Sequence, residues 1–397
     1  MKRRPWGRST VLVVVLVAGL MAESVMGWTS TQSPALTVRI GVAGNVTNGA
    51  TVTAALTSHR PFPMNIHVAA VPGTLPLTSG SALLLADPTY PSVFGSYSDT
   101  LALGDRANTL LREAGSGTTI TDVSSAGLAD ALAANPNGTL IIAEYGVLPP
   151  SVLSPNVSLL GNWIRAGGAL IWAGGPLGFY QEAPGNGSRA CCPGGEGWAG
   201  QTSLIGFPLT DPVSGGGPLN VPGTGPPLGT IATPLDSAFG FEYNGTLYGA
   251  NVSRLASHGG FSLGYESAAP NAAGQPSPRT SLAYLPLGAG AVYYFGGGIW
   301  TPYGQYTPLG GLALSVDIAR LVATRFVPLL GPTLVQSVTL PPEETTTVEL
   351  SVALGTPFVI VIDCASNDVP LWGYAGPAPS LPIAFPIGHG LPLPTHT

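Results

Sequence analysis

Three rhythms of apolar and polar residues divide the chain. From Ala35 to Ser58, "ALTVRIGVAGNVTNGATVTAALTS" alternates apolar and polar positions around Asn-Val-Thr-Asn-Gly. A period of two with a turn at its centre predicts strand, turn and strand. "MNIHVAAV" predicts a third strand, and the Pro-rich "PGTLPLTSG" closes the segment. From Ser81 the alternation gives way to continuous apolar runs, as in strands buried on both faces: "SALLLAD", "TTITDV", "TLIIAEYG" and "ALIWAGG". Between them lie segments with helical spacing. In "LGDRANTLLREAG", Asp105 is the expected N-cap and Gly115 the stop; "SSAGLADALAANPNG" and "VSLLGNWIRAGG" follow the same plan. Strands alternating with short helices predict a mainly parallel sheet with right-handed crossovers.

This pattern stops near residue 181. Residues 181–275 are rich in Gly, Pro, Asn and Ser, with short apolar pieces such as "LYGANVSRL", and predict a long loop-rich insertion. "TSLAYLPLGAGAVYYFGGGIW" resumes as two strands joined by Leu-Gly-Ala-Gly, and "LGGLALSVDIARLVATRFV" is a closing helix. The third rhythm restores alternation in "LVQSVTL", "TTVELSVAL" and "PFVIVIDCA". The expected organisation is a leader over 1–27, an N-terminal β segment over 28–80 and an α/β domain over 81–330. A C-terminal β module over 331–375 and a Pro-rich tail over 376–397 complete it. The two β segments form either separate modules or one sandwich interrupted by the α/β domain.

Composition narrows the class. Of 397 residues, 45% are hydrophobic and only 9% charged, against about 25% in ordinary globular chains. Disorder needs the opposite profile. Lys2 is the only lysine and the net charge is −6, so there is no basic footprint for nucleic acid. So few ionisable groups also predict a surface that tolerates acid. "MKRRPWGRST" followed by "VLVVVLVAGLMA" has the form of a basic n-region and an apolar h-region, predicting export with cleavage near Gly27. The apolar run is shorter than the ~20 residues of a spanning helix. The alternative is an uncleaved N-terminal membrane anchor.

Asn45, Asn137, Asn156, Asn186, Asn244 and Asn251 each begin an N-x-[ST] sequon, which fits a glycosylated extracellular or cell-surface protein. The cysteines are Cys191, Cys192 and Cys364. In an exported chain, one of the adjacent pair bridges to Cys364, the pair closes a vicinal ring, or all three stay as thiols. Neither the cysteines nor the five histidines have metal-ligand spacing. No cofactor or metal is expected.

The segments "LLGNWIRAGGALIWAGG" and "LGAGAVYYFGGG", with the order of elements, make residues 81–180 and 280–327 resemble the class I glutamine-amidotransferase-like superfamily. The likeness is to its non-amidotransferase branches, such as the trimerisation-domain-like part of some β-galactosidases. It implies a mainly parallel, flavodoxin-like sheet. Catalytic members of the superfamily carry a Cys on the bend after this strand and use a partner His. The matching positions here are Trp172, Ala173, Gly174 and Gly175, and no His-x-Glu pair occurs. The resemblance therefore implies a domain without its family's nucleophile.

Candidate chemistry remains at the strand ends. Asp87, Asp122 and Glu144 follow or end three successive strands, and carboxyl ends of a parallel sheet face the ligand crevice. Carboxylates there suit a cation, sugar hydroxyls or acid–base work. The same residues also suit turn and cap roles at "ADPTY" and "DVSS". Tyr145, Trp172, Phe179 and Tyr180 lie near the same edge, where an aromatic stacks on a sugar ring or simply fills the core. "GGFSLGYES" holds a formal G-x-S-x-G at Ser262, preceded by His258, but lacks the helix a nucleophile elbow needs after it. The expected role is binding or structural, with carbohydrate or another envelope protein as partner. The alternative is a secreted hydrolase using the strand-end carboxylates or Ser262.

Overall fold

In the computed structural model, the described residues are 12–13, 27–32, 36–45, 49–74, 81–89, 97–113, 117–143, 147–149, 152, 158–173, 177–178, 180–182, 189–191, 199–210, 231–232, 249–267, 278–280, 282–296, 314–315, 317–319, 321–322, 327–329, 334–352, 358–364, 371–375 and 385–386.

The N-terminal alternation folds into β1 (Gly27–Gln32), β2 (Leu36–Asn45), β3 (Gly49–Ser58) and β4 (Met64–Thr74). The chain then builds β5 (Ala82–Leu85), α1 (Tyr97–Glu113), β6 (Ile120–Val123), α2 (Leu128–Ala134) and β7 (Thr139–Ala143). Next come α3 (Leu159–Ala166), β8 (Ala169–Ala173), α4 (Ala199–Ile205), α5 (Val252–Ser257) and β9 (Phe261–Ser262). The hairpin of β10 (Leu282–Leu287) and β11 (Gly290–Phe295) follows, and the described residues of 314–322 are helical. The chain returns to alternation in β12 (Leu334–Leu340), β13 (Thr345–Val352), β14 (Phe358–Cys364) and β15 (Leu371–Ala375).

One seven-stranded sheet runs β9-β10-β11-β8-β7-β5-β6. The pairs β6–β5, β5–β7, β7–β8 and β8–β11 are parallel; β10 and β9 add antiparallel strands at one edge. Alternate residues of each central strand serve opposite cores. Leu84, Ile141, Ile171 and Tyr293 pack with α1 and with Leu314, Ile318 and Leu321. Leu83, Ile142, Trp172 and Tyr294 pack with α2, α3 and α4. Both faces are thus covered, which is why these strands read as unbroken apolar runs. The free edge at β6 is blocked by a side chain. Asn108 of α1 donates to the Ile120 carbonyl at 2.9 Å and accepts from the Ile120 N–H at 2.8 Å, in place of a neighbouring strand.

Asp105 does not cap α1. The helix begins at Tyr97 with Asp99 in its first turn, so Asp105 lies within it. The stretch between Ser98 and Leu103 continues the helix, and a carboxylate in the first turn already complements its N-terminus. Much of the expected insertion at 181–275 lies outside the described residues, apart from α4, α5, β9 and several two- or three-residue strands.

The two β segments form one sandwich. One sheet is β1-β2-β3-β13; the other centres on β4, flanked by β12 on one side and by β14 and then β15 on the other. Ile40, Val52, Leu56, Ile66 and Val68 of the first segment share a core with Val348, Leu350, Phe358 and Ile360 of the second. The α/β domain is therefore inserted between two halves of a sandwich. The two units meet through β4. Ile66, Val68 and Ala70 face the sandwich core, whereas Ala69 and Val71 belong to the α/β core beside α1. The sequence leaves this open because alternation fixes which face a residue occupies, not which strand it pairs with. At the ends of the chain, Leu12–Val13 pairs with Phe385–Pro386. No helix among the described residues is long and apolar enough to cross a membrane.

Candidate functional site

The parallel strands lie in the order β6-β5-β7-β8-β11, so the chain leaves β5 in one direction and β7 in the other. The crevice of such a sheet lies between the carboxyl ends of those two strands. Asp87 stands there, two residues beyond β5, and is 5% exposed. Its Oδ1 accepts from the Thr89 N–H at 2.9 Å and the Thr89 hydroxyl at 2.7 Å. Its Oδ2 accepts from the Ser125 N–H at 2.9 Å and the Ser125 hydroxyl at 2.6 Å. Burial by itself raises the Asp87 pKa, but the hydrogen bonds from Ser125 and Thr89 outweigh it and bring the value down to about 2. Four donors on one carboxylate stabilise the charged form, as expected. Asp87 thus ties the loop after β5 to the loop after β6, next to the backbone bond from Ala86 N–H to the Val123 carbonyl at 2.9 Å.

Asp122 sits in a different environment. It is exposed on β6, in register with Leu84 of β5. Desolvation, and then the Asp105 carboxylate on α1, raise its pKa above the ordinary value. The carboxylate acting on Asp122 is Asp105, while Asp87 is held by Thr89 and Ser125, so the two do not form an acid–base pair. Glu144 and Tyr145 lie outside the described residues, as does Phe179. Tyr180 begins the short strand Tyr180–Glu182, which pairs with Arg189–Cys191. Among the described residues, no group of His, Cys, Asp and Glu is arranged to hold a metal ion.

Trp172 is not a rim aromatic. It is 0% exposed and heads the fully buried side chains, within the core shared with α3. On a parallel strand covered on both faces, even the residue before the last points into packed side chains. Truncation to Ala would cost about 3–5 kcal/mol.

Ser262 is not at a nucleophile elbow. The order of elements is reversed: α5 precedes it, and Ser262 lies on the edge strand β9. The Leu263 and Gly264 N–H groups both donate to the Leu282 carbonyl, at 2.8 and 3.1 Å, so the glycine motif forms an irregular strand end. The Ser262 hydroxyl donates to Thr280 Oγ1 at 2.6 Å, and Thr280 in turn donates to the Leu282 carbonyl at 3.0 Å. His258 is the C-cap of α5 and stacks on Phe207 with ring centroids 3.5 Å apart. Its Nδ1 lies 2.9 Å from the Arg254 carbonyl, which can only accept, so Nδ1 carries the proton. Each residue is engaged locally rather than with the other.

The two segments on which a family resemblance was expected meet each other at the amino ends of two central strands, at the end of the sheet opposite the crevice. Gly167 caps α3 with φ 133°, and the turn before β11 docks on that cap. The Ala289 N–H donates to the Arg165 carbonyl at 2.9 Å and the Ala291 N–H to the Gly168 carbonyl at 3.2 Å. A Cβ on Gly290 would collide with the carbonyl oxygens of Gly168 and Ile164. "RAGG" and "LGAG" are therefore two halves of one backbone contact at the amino ends of β8 and β11. Gly174 and Gly175 lie outside the described residues.

Of the sequons, Asn45 ends β2 and Asn137 is exposed in the turn before β7. Asn251 is only 9% exposed and caps α5, its Oδ1 accepting from the Arg254 N–H at 2.9 Å. Asn251 therefore serves as a helix cap in this structure. Asn156, Asn186 and Asn244 lie outside the described residues, as does Cys192. Cys191 ends the strand Arg189–Cys191, and Cys364 ends β14 of the sandwich. The functionally placed residues missing from the sequence reading are Thr89 and Ser125. Their signal was a hydroxyl two residues after Asp87 and a second one at the end of the next strand.

No protein-family model matches the chain. A search of curated proteins finds no match either.

Proposed function

We propose that this chain is an exported, glycosylated extracellular or cell-surface protein whose α/β domain acts as a binding or structural scaffold. In this reading the domain is an amidotransferase-like unit without a nucleophile, and the strand order β6-β5-β7-β8-β11 supports a flavodoxin-like sheet. The observation that carries the reading is Asp87. The carboxylate at the switch point accepts four hydrogen bonds from its own loops, which suits it to hold the crevice together and not to move protons. The partner is carbohydrate or another envelope protein, and access to the membrane is through an uncleaved N-terminal segment if the leader is retained. The hydrolase alternative loses its support at Ser262, whose hydroxyl is bonded to Thr280.

A thermal-shift screen of the protein against divalent cations and saccharides tests this, repeated with Asp87→Asn, Asp122→Asn and Glu144→Gln. The expected result is a saccharide-dependent rise in melting temperature that survives Asp87→Asn, though from a lower baseline. Saccharide hydrolysis that is lost in Asp87→Asn would overturn the reading.

A further inference from the structure

We propose that β13 is an interface at which a second copy of this chain joins edge to edge, turning two four-stranded sheets into one continuous sheet. β13 ends the sheet β1-β2-β3-β13, and among the described residues it pairs with β3 alone. The ladder runs unbroken from Thr345 opposite Thr57 to Val352 opposite Ala50, so no bulge twists the edge away. The strand reads "TTTVELSV": β-branched residues dominate it, Pro and Gly are absent, and Glu349 is its only charge. Natural edges are blunted by Lys, Pro, bulges or a cover. The edge at β6 is blocked by Asn108, whereas β13 carries no Lys, Pro or bulge.

The backbone phase settles what this edge offers. The Ser58 N–H donates to the Glu344 carbonyl at 3.0 Å, and this pair continues the register one step before Thr345 opposite Thr57. In an antiparallel ladder, alternate residues bond to the neighbouring strand, and those between point their N–H and C=O away from it. Thr346, Val348 and Leu350 therefore turn their backbone groups to β3. Thr345, Thr347, Glu349 and Ser351 turn theirs to the open side. The side chains of these same four residues are exposed on the outer face, since Val348, Leu350 and Val352 lie in the sandwich core.

A second copy fits this edge because the strand is complementary to itself. A two-fold axis at Val348 sets Val348 opposite its own copy, Thr347 opposite Glu349 and Thr345 opposite Ser351. Outward residues then meet outward residues, and core-facing residues meet core-facing ones, for about eight backbone bonds between the copies. Each Glu349 carboxylate meets a Thr347 hydroxyl, which can donate to it, and the two carboxylates stay apart. Hydroxyls on this face already reach across strands: Oγ1 of Thr57 and Oγ1 of Thr345 are 2.7 Å apart. Moving the axis to Glu349 would bring the two carboxylates together, and moving it to Thr347 would shorten the paired stretch. The sandwich core is already closed, so the interface is made of backbone groups and hydroxyls, and the expected dimer is reversible. This association is separate from the binding role of the α/β domain, and neither depends on the other.

The test is sedimentation velocity of the full chain from micromolar to submillimolar protein, with three changes at Thr347. The wild type is expected to pass from monomer to dimer as concentration rises. Thr347→Pro removes an outward N–H and leaves the ladder to β3 intact, as edge positions allow. It should weaken dimerisation by about 10-fold or more. Thr347→Glu sets a carboxylate opposite Glu349 twice and should weaken it by about 3–10-fold, while Thr347→Arg should tighten it by a similar factor. If Thr347→Pro does not fold, judged by its melting curve, the opposed effects of Thr347→Glu and Thr347→Arg decide. A chain that stays monomeric at every concentration, or a dimer on which these two charge changes act in the same direction or not at all, would overturn the proposal.

Discussion

The Ser125 hydroxyl donates to Asp87 Oδ2 at 2.6 Å, joining two loops that the sheet itself leaves apart. With the second bond from Ser125 and the two from Thr89, it makes Asp87 part of the framework at the crevice. Replacing Asp87 with Ala removes all four bonds, but Thr89 is exposed and Ser125 half-buried, so water can take over their donors. The expected loss is about 1–3 kcal/mol in urea or thermal unfolding. A loss below about 0.5 kcal/mol would mean that the clamp contributes little.

Acid should weaken this clamp late. The Asp87 pKa is lowered in the fold to about 2, against 3.8 for an unperturbed group. Its stabilisation is therefore fully present above about pH 4 and is lost as the pH falls toward 2, by at most about 2 kcal/mol. Asp122 has the opposite sign. Its raised folded pKa disfavours the charged form, so its contribution worsens as the pH rises through the ordinary carboxylate range. Unfolding curves from pH 2 to 7 should flatten at the acid end in Asp87→Asn. Asp122→Asn should be as stable as wild type or slightly more so at pH 7.

Gly290 should be far less tolerant than Gly117. A methyl group on Gly290 meets two backbone carbonyls, whereas one on Gly117 meets nothing within 4 Å. Backbone cannot move aside as a flexible side chain can. Gly290→Ala is expected to cost about 3 kcal/mol or more, and Gly117→Ala to be within about 0.5 kcal/mol of wild type. Thermal melts of the two variants measure the difference.

A chain ending before residue 334 lacks β12, β13 and β14, the strands that flank β4 and cover β3. The N-terminal strands then lose half of their core. Limited proteolysis should cut the truncated chain within 36–74 while leaving that segment intact in the full chain. Equal protection of this segment in both would contradict the shared sandwich.

How much the sequence disclosed depended on range. Local periodicity located β2, β3, β5, β7 and β8 because each pattern is complete within its own strand. The closure of the sandwich was hidden because β4 pairs with strands from the far end of the chain. Trp172 was readable as a strand-end aromatic that either stacks on a ligand or fills the core, and the packing of α3 over it decides for the core. Asp87 was the reverse case. "ADPT" contains its bond to Thr89, a turn motif of adjacent residues, while Ser125 enters only when β5 and β6 pair.

The most direct measurement of the scaffold reading is the carboxylate pKa of Asp87 itself, followed by carbon-13 NMR in the intact protein. A clamped, permanently charged carboxylate predicts a titration midpoint near 2, unchanged by added saccharide. A midpoint at or above 5, in the range of a working general acid, would contradict it.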